Sequence, residues 1–458
     1  MPAVRTSAGT AAAHDTIAAV ATPAGAGGIG IVRLSGPASG AIGRALTGKK
    51  LKQRIFHFVA FRDGTGTALD RGLAVFFAAP ASHTGEDVLE LHAHGSPVVL
   101  DLLLRRAIEL GARAARPGEF SERAFLNGKL DLAQAEAVAD LIGSGSEAAV
   151  RAAQRSLEGE FSRRVQNLLD ALVRLRAWLE AALDFPDDDV DFLGAPQLAT
   201  ELAALRQGLA DLLAAARRGV VLRDGLHVVI VGRPNTGKSS LLNALAQSDR
   251  AIVTAVAGTT RDLLRETINL DGIGLTLVDT AGMHSSADVV EREGMRRARA
   301  ELAAADVAIL VTRSADVEAD RILLQECAST ATRLIVMNKI DLSGEPARRE
   351  EHPDRETHLY LSAQRGDGLE LLRAELARLG GRGEDMHGAF SARRRHVDAL
   401  ERVQRHLDAS AHALLETRAG ELAAEELRLA QRALGEVTGA YGSDELLGAI
   451  FSTFCIGK

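Results

Sequence analysis

The sequence predicts a multidomain protein of the α/β plus α class, and three observations support this fold class. Residues 14–120 contain short apolar runs separated by turn residues, which is typical of an α/β domain. Residues 121–224 and 382–458 carry apolar side chains at helical spacing, so we expect one helical domain made of two chain segments. Residues 225–381 return to apolar strands followed by helix-like stretches, which indicates a second α/β domain inserted between those segments.

Length and composition narrow the class further. The 458 residues suggest about three domains. A net charge of -7 gives no global basic field, so an RNA partner needs a local patch or a second protein. Two cysteines, Cys327 and Cys455, exclude a disulfide framework and fit a reducing cytoplasm. Because no apolar stretch reaches about 18 residues, we expect no membrane span, and we expect residues 1–13, which are mostly small, to be disordered.

The secondary structure follows from the spacing of apolar residues. Alternating and continuous apolar runs predict strands over residues 16–20, 29–34, 73–77 and 88–92. Helical spacing predicts helices over residues 98–110, 130–142, 147–183, 197–216, 392–439 and 444–451. The acidic segment 184–192 contains a proline and interrupts the helices. It is either a partner or cation site or a solvated connection, and the solvated connection is favoured because charge runs usually face water.

The most specific motif is a phosphate-binding loop, Gly232-Arg-Pro-Asn-Thr-Gly-Lys-Ser239, which lies between an apolar strand and a helix start. Its glycines let backbone N–H groups turn towards phosphate oxygens, Lys238 supplies a positive charge to the β- and γ-phosphates, and the Ser239 hydroxyl is a Mg²⁺ ligand. The loop residues expected to contact the nucleotide are Asn235, Thr236, Gly237, Lys238, Ser239 and Ser240.

Three further segments predict that the nucleotide is GTP. Asp279-Thr280-Ala281-Gly282 follows an apolar strand, as the Mg²⁺- and γ-phosphate-contacting turn does in Ras-like P-loop GTPases. Asn338-Lys339-Ile-Asp341 follows another strand, and the Asp341 carboxylate accepts two hydrogen bonds that guanine offers and adenine does not. Ser362 and Ala363 place a backbone N–H near guanine O6. An ATPase with a coincidental match is the weaker alternative.

Five stretches together resemble the family of tRNA modification GTPases called MnmE or TrmE. They are Asp15-Thr-Ile-Ala-Ala with Gly27-Gly-Ile-Gly-Ile-Val-Arg33, Thr84-Gly-Glu-Asp-Val-Leu-Glu-Leu-His92, Arg116-Pro-Gly-Glu-Phe through Glu136, Gly258-Thr-Thr-Arg-Asp262, and Phe454-Cys-Ile-Gly-Lys458. The resemblance covers essentially the whole chain after residue 14, and its C-terminal Cys-Ile-Gly-Lys is highly specific.

The resemblance implies a function that spacing does not reveal. Members add an aminomethyl or carboxymethylaminomethyl group to C5 of the wobble uridine of certain tRNAs. They work in a heterotetramer with MnmG, a partner that uses FAD and NADH, and they pair as homodimers through their N-terminal domains. The one-carbon donor is a folate, 5-formyl- or 5,10-methylene-tetrahydrofolate, bound to the N-terminal α/β domain.

The resemblance also assigns residues. The folate-contacting positions of the family fall on Arg33, Glu90, Lys129 and Lys458, and their charges suit the pterin edge and the glutamate tail of a folate. Cys455 is a candidate nucleophile towards uridine C6, against the simpler interpretation of a small residue packed near the folate.

The hydrolytic site departs from small GTPases, because Met283 and His284 stand after Gly282 where a water-orienting Gln is usual. The resemblance implies that K⁺ replaces an arginine finger and that Glu291 orients the water. Oxygen ligands for K⁺ are expected from Asn235, Thr254, Val256 and Thr259, and Thr260 is the expected second Mg²⁺ ligand besides Ser239. The whole nucleotide-contacting segment is Thr254, Ala255, Val256, Ala257, Gly258, Thr259 and Thr260.

Two other functions stay open on the sequence. A ribosome-assembly or RNA-chaperone GTPase without base chemistry accounts equally well for residues 225–381, but not for the N-terminal motifs or the C-terminal tail. A folate-dependent enzyme acting on a small molecule and gated by GTP is the third. The best local basic patch for tRNA is Arg393-Arg-Arg-His396, which is at least as well explained as the start of a solvated helix.

Overall fold

The structure, a computed structural model, describes residues 15–184, 196–247, 264–270, 273–279, 300–313, 316–324, 331–352, 356–380, 388–441 and 444–457. The chain divides into two compact units, residues 1–139 with 431–458 and residues 140–430. The α/β plus α fold class is confirmed by two sheets accompanied by long helices. The predicted domain boundaries at residues 120, 224 and 381 stay a prediction.

Thirteen strands and fourteen α-helices are named among the described residues. The strands are β1 (Thr16–Val20), β2 (Gly27–Ser35), β3 (His57–Arg62), β4 (Ala68–Phe77), β5 (Val88–Gly95), β6 (Ala112–Ala114), β7 (Leu226–Val231), β8 (Leu264–Leu270), β9 (Ile273–Asp279), β10 (Val307–Thr312), β11 (Thr332–Asn338), β12 (Arg348–Glu351) and β13 (Thr357–Leu361). The helices are α1 (Ser39–Thr47), α2 (Pro97–Glu109), α3 (Glu119–Leu126), α4 (Leu132–Gly143), α5 (Glu147–Leu157), α6 (Glu160–Asp184), α7 (Pro196–Asp224), α8 (Lys238–Gln247), α9 (Val317–Asp320), α10 (Ile340–Ser343), α11 (Leu369–Leu379), α12 (Arg394–Leu415), α13 (Gly420–Thr438) and α14 (Asp444–Ser452).

The first unit is built on a sheet with the strand order β3-β4-β5-β2-β1-β6. Its neighbouring strands run antiparallel except for the pair β1 and β6. Helices α1 and α2 cover the sheet with apolar side chains such as Ile42, Leu46 and Leu103, which are almost fully buried. Burial of these groups stabilises the unit, since removing apolar surface from water contributes about 25 cal/mol per Å².

The second sheet, with the order β12-β13-β11-β10-β7-β9-β8, is parallel except at its two edges. Strand β10 is buried along its whole length and β7 at every residue except His227, as their mainly apolar sequences predict. The chain passes from β7 to β9 on one side and returns to β10 on the other. The carboxyl ends of β7 and β10 therefore form the switch point where ligands bind in open α/β sheets.

The prediction of one continuous helix over residues 147–183 is wrong. The structure ends α5 at Leu157 and begins α6 at Glu160, because Gly159 takes a φ of 83° that a helix does not accept. Helix α7 is longer than predicted and reaches Asp224. Strand β3 and helix α1 were not predicted, since residues 39–62 are rich in glycine and basic residues that hide their spacing.

A buried carboxylate joins the residues just before β7 to those just before α12, which flank the predicted insertion. Asp140 accepts hydrogen bonds from Arg223 Nε at 2.7 Å, just before β7, and from Arg393 Nη2 at 2.8 Å, just before α12. These charged hydrogen bonds hold the end of α7 and the start of α12 together. In the described part of the chain, no helix combines the length and apolarity needed to cross a bilayer.

Candidate functional site

The phosphate-binding loop follows β7 directly and leads into α8, as the motif predicts. A side chain at Gly232, whose φ is 154°, would come within 2.3 Å of the Val311 carbonyl oxygen. A side chain at Gly237, whose φ is 97°, would come within 2.2 Å of Asn338 Nδ2. Only glycine fits either position, so the two glycines fix the tight path of the loop. The loop leads into the N-terminal end of α8, whose partial positive charge favours an anion.

The ammonium of Lys238 lies inside the loop, and the residue is only 5% exposed. Its Nζ donates to the carbonyl oxygens of Gly232 at 2.7 Å and of Arg233 at 2.9 Å. A buried cation held by uncharged carbonyl oxygens is a strong site for an anionic ligand, because a phosphate supplies the opposite charge.

Asn338 joins the loop to the segment that is expected to bind the base. Its Nδ2 donates to the Thr236 carbonyl oxygen at 2.8 Å, and its Oδ1 accepts from Ala363 N at 3.0 Å. Lys339 Nζ donates to the carbonyl oxygen of Asn235 at 2.7 Å. The structure thus brings together the loop residues, Asn338, Lys339 and Ala363, which are separated in sequence.

The Asp341 carboxylate is placed by one strong hydrogen bond. Ser362 Oγ donates to Asp341 Oδ1 at 2.6 Å, which leaves acceptor capacity on the carboxylate for a base edge. Lys339 takes a left-handed φ of 69° and caps the short helix α10, which carries Asp341. The geometry therefore fits the predicted hydrogen bonds to guanine.

Among the described residues, Ser239 offers one ligand suited to a hard divalent cation. Ser239 follows Lys238 at the start of α8 and offers a hydroxyl oxygen. The Cα of Asp279 pairs with that of Ile230 in the parallel ladder between β9 and β7, so its backbone lies near the loop. Asn235 takes a φ of 61°, which asparagine tolerates, and it is exposed within the loop with a side-chain oxygen suited to a monovalent cation.

Several predicted residues lie outside the described residues. They are the nucleotide and cation residues Thr254, Ala255, Val256, Ala257, Gly258, Thr259 and Thr260, the turn residues Thr280, Ala281 and Gly282, the proposed water-orienting Glu291, the terminal Lys458 and the side chain of Asp279. Their assigned roles stay predictions.

A second cluster lies in the first unit. Arg33 on β2 and Glu90 on β5 are directly paired in the antiparallel ladder, and Arg33 Nε donates to Glu90 Oε1 at 2.9 Å. The second carboxylate oxygen lies 3.2 Å from His92 Nε2. Arg33 Nη1 also donates to the carbonyl oxygen of Gly457 at 3.3 Å, so the C-terminal tail reaches this cluster. We call Arg33, Glu90 and Gly457 the tail-contact cluster.

The tail is held by close backbone packing. A side chain at Gly457, whose φ is 93°, would come within 2.3 Å of the Val20 carbonyl oxygen, and one at Gly118 within 2.4 Å of the Phe451 carbonyl oxygen. Cys455 is an exposed free thiol, and its carbonyl oxygen accepts from Gly118 N at 3.4 Å. These contacts fix the direction in which the last residues run.

Lys129 is placed differently from the other predicted folate residues. Its Nζ donates to the carbonyl oxygen of Pro80 at 3.2 Å, and its stem lies beside Gly85. The structure thus brings Arg33 and Glu90 together but assigns Lys129 a separate anchoring contact.

Sequence reasoning missed His83, next to the quoted motif that begins at Thr84. Although the side chain keeps exposed surface, partial desolvation lowers the pKa of His83, the charge of Arg33 adds to this effect and Glu90 opposes it. Its position one residue before the motif is the sequence signal that could have drawn attention to it.

A buried ion network underlies the segment that follows β6. Glu119, which is 2% exposed, accepts from Arg113 Nη2 at 2.7 Å and from the Arg116 backbone N at 2.8 Å. Arg123 bridges Glu119 and Asp15. Burial by itself raises the pKa of Glu119, but the hydrogen bonds and positive charges outweigh it, so the net pKa is lowered.

The basic patch at residues 393–396 is partly internal. Arg393 pairs with Asp140, and its side chain is 15% exposed. His396 is buried, accepts from Arg393 N at 3.0 Å and packs against Phe161. These two residues cap α12 within the fold, so fewer residues of the basic patch face solvent than its sequence indicates.

Comparisons with known proteins cover nearly the whole chain. The family model described as "MnmE helical domain" matches residues 132–455, and "GTP-binding protein TrmE N-terminus" matches residues 16–129. The tRNA modification GTPase MnmE of Methylococcus capsulatus is 53% identical over 446 residues, covering 97% of this chain and 99% of the relative. That of Ectopseudomonas mendocina is 53% identical over 452 residues, with the same shares. A crystal structure of an Aquifex aeolicus Era variant with GDP and aluminium fluoride aligns at 24% identity, over 39% of this chain and 65% of that one, with a TM-score of 0.27.

Proposed function

Because the chain belongs to the family of tRNA modification GTPases called MnmE, we propose that it hydrolyses GTP in support of chemistry at C5 of the tRNA wobble uridine. In this proposal a folate supplies the one-carbon unit and a flavoprotein of the MnmG type, using FAD and NADH, acts as partner in a heterotetramer. The observation that carries the proposal is identity of about half the residues along 97% of the chain. The ribosome-assembly alternative concerns residues 225–381 alone and leaves the matched N-terminal region without a role.

In the nucleotide site, each described residue has one proposed task. Lys238 leaves the carbonyl oxygens of Gly232 and Arg233 for the β- and γ-phosphates and neutralises charge that develops during hydrolysis. Asn338 keeps the phosphate loop and the base-binding loop at a fixed separation. Asp341 selects guanine, with Ser362 holding its carboxylate in place.

Two cations complete this proposal. Ser239 and Thr260 would ligate Mg²⁺, with Asp279 acting on it through water, and the ion would stabilise negative charge on the phosphates. Asn235, with Thr254, Val256 and Thr259, holds K⁺, and Glu291 orients the attacking water. The exposed side chain of Asn235 beside the loop supports the K⁺ assignment among the described residues.

The tail-contact cluster is the proposed folate site. Glu90 accepts hydrogen bonds from the donor edge of a pterin, while Arg33 and Lys458 contribute positive charge to the carboxylates of the folate tail. Lys129 contributes through the nearby loop that carries Pro80. Cys455 is exposed beside this tail, so it is accessible for the proposed attack on uridine. We place the protein in the cytoplasm as a homodimer through its N-terminal domain.

Nucleoside mass spectrometry of bulk tRNA tests the proposal. Cells that lack the gene are complemented with the wild-type chain, with Lys238→Ala or with Arg33→Gln. Modified wobble uridine should return with the wild-type chain and stay absent with either variant. Ribosome profiles that do not change on deletion of the gene, together with uridine modification that the wild-type chain restores, exclude the ribosome-assembly alternative. If wobble uridine is unchanged by deletion and complementation, the proposed function is wrong.

A further inference from the structure

The second residue of the phosphate-binding loop is anchored by a buried acid. Arg233 Nε lies 2.5 Å from Asp320 Oδ1, and the Asp320 side chain is 1% exposed while that of Arg233 is 54% exposed. Asp320 Oδ2 accepts from Thr312 Oγ1 at 2.5 Å. A buried carboxylate requires a countercharge, so the position of Arg233 depends on Asp320.

This anchor ties the loop to the neighbouring strand. Thr312 is fully buried at the end of β10, and β10 pairs with β7, which leads into the loop. Asp320 ends the short helix α9 after β10. The two oxygens of Asp320 therefore join the end of one strand to the beginning of the loop that follows the other.

The backbone of Arg233 takes part in the same arrangement. Its carbonyl oxygen accepts from Lys238 Nζ at 2.9 Å and from Thr236 Oγ1 at 2.9 Å. The next residue, Pro234, restricts the backbone of Arg233 to extended conformations. The side chain is thus fixed on one side by Asp320, while its carbonyl oxygen faces the ammonium that must move to the phosphates.

We propose that Asp320 is a positioning residue for nucleotide binding, which acts through Arg233 to hold the phosphate-binding loop in its receptive form. When Lys238 turns towards a phosphate, the loop loses the two hydrogen bonds that the ammonium made to its carbonyl oxygens. The pair Asp320–Arg233 remains and keeps the first part of the loop from collapsing. This inference rests on the proposed GTP binding. It adds a residue, Asp320, that belongs to none of the nucleotide-binding motifs.

The test compares variants of the full chain by their affinity for a fluorescent GDP analogue and its dissociation rate. Asp320→Asn keeps an acceptor for Thr312 but removes the charge, and Arg233→Gln removes the partner. Each should weaken binding about tenfold, mainly through faster dissociation, because the ion pair between Arg233 and the buried Asp320 is lost. The double variant should lose no more than either single variant, since the two residues act as one unit.

The controls separate positioning from general stability. Asp316→Asn on the same short helix, where the side chain makes no capping hydrogen bond, should bind as the wild type does. Arg233→Lys should regain part of the affinity lost in Arg233→Gln. Because the Arg233 side chain is exposed, both variants should fold, so comparing their affinities tests the proposal even if Asp320→Asn does not fold. Lower thermal stability with unchanged affinity, or additive losses in the double variant, overturns the proposal. A wild-type chain that binds no guanine nucleotide overturns the proposed GTP binding itself, and the positioning role with it.

Discussion

The phosphate-binding loop and the tail-contact cluster differ in the distance along the sequence between the residues that touch. Lys238 contacts a carbonyl oxygen six residues away, whereas Arg33 contacts Glu90 at a separation of 57 and Gly457 at a separation of 424. The centre of the first site lies within one strand, one loop and one helix, and Asn338 and Asp320 contact it from other elements. The second exists only after the sheet has paired and the chain's end has packed back onto it. The difference teaches that a site built from consecutive residues can be recognised from a sequence motif, whereas a site built from distant residues depends on the whole fold.

Removing Lys238 should break the first site and leave the second intact. Lys238→Ala takes away the buried positive charge at the phosphates, and we expect GTP hydrolysis to fall by about 10³-fold. Affinity for a tetrahydrofolate derivative, measured by calorimetry on the same preparation, should not change. Lys50→Ala, at an exposed lysine of the first unit, serves as the control for loss of charge. A hydrolysis rate within threefold of the wild type contradicts the assignment.

Changing Asp341 should alter which base is bound and keep the phosphate contacts. Asp341→Asn replaces one of the two carboxylate acceptors with an NH₂ donor that faces a guanine donor, so GTP binding should weaken by about 2–4 kcal/mol while xanthosine triphosphate binds better. Competition binding of the two triphosphates measures the change in preference. Asp367→Asn, whose carboxylate pairs with Arg365 nearby, is the matched control. Unchanged GTP affinity in Asp341→Asn would show that the carboxylate does not face the base.

Neutralising Arg33 should affect the second site alone. Arg33→Gln removes the charged contacts to Glu90 and to the Gly457 carbonyl oxygen, so affinity for a tetrahydrofolate derivative should fall by about 1.5–3 kcal/mol. GTP hydrolysis should remain near the wild-type rate. Arg71→Gln, at an exposed arginine of β4 in the same sheet, should keep full folate affinity. Equal losses in both variants would point to a general charge effect.

The buried ion network around Glu119 should make a smaller contribution, to the free energy of unfolding of the first unit, and this contribution should depend on pH. Glu119→Gln leaves the Arg113 and Arg123 guanidinium groups without their buried partner, and we expect a loss of about 2–3 kcal/mol in the free energy of unfolding at pH 7. Because the folded-state pKa of Glu119 is lowered, its contribution is present above the ordinary glutamate pKa and is lost as the pH falls through the folded value. Denaturant unfolding at pH 7 and at acid pH should show the wild type and Glu119→Gln converging at acid pH. A difference in the free energy of unfolding between the two chains that stays the same at both pH values would contradict this pH dependence.

The sequence predicts the phosphate-binding site well because its residues are consecutive. The spacing from Gly232 to Ser239 and the strand before it determine the loop, and Asn338 was found because it follows another buried strand. Asp320 and Thr312 were not found, since a buried carboxylate that contacts a loop from a different element leaves no spacing pattern. Arg233, although inside the motif, occupies a position that the motif leaves unspecified.

The tail-contact cluster shows the opposite case. Composition and periodicity predict the strands that carry Arg33 and Glu90, but not that the two side chains are paired across the ladder. The contact with Gly457 depends on packing between the last helix and residues 118–125, which no local pattern reports. The resemblance to a family supplied these positions, and His83, one residue before a recognised stretch, was still missed.

Deleting the last four residues tests the contrast between the two sites most directly. The measurement is paired binding of GTP and of a tetrahydrofolate derivative to the full chain and to a chain ending at Phe454. The truncated chain lacks Cys455, Gly457 and Lys458, so folate affinity should fall at least about tenfold, as for the loss of a charged contact, while GTP affinity and hydrolysis stay at the wild-type level. Unchanged folate affinity, or a parallel loss of GTP binding, would contradict the account of one local site and one site completed by the chain's end.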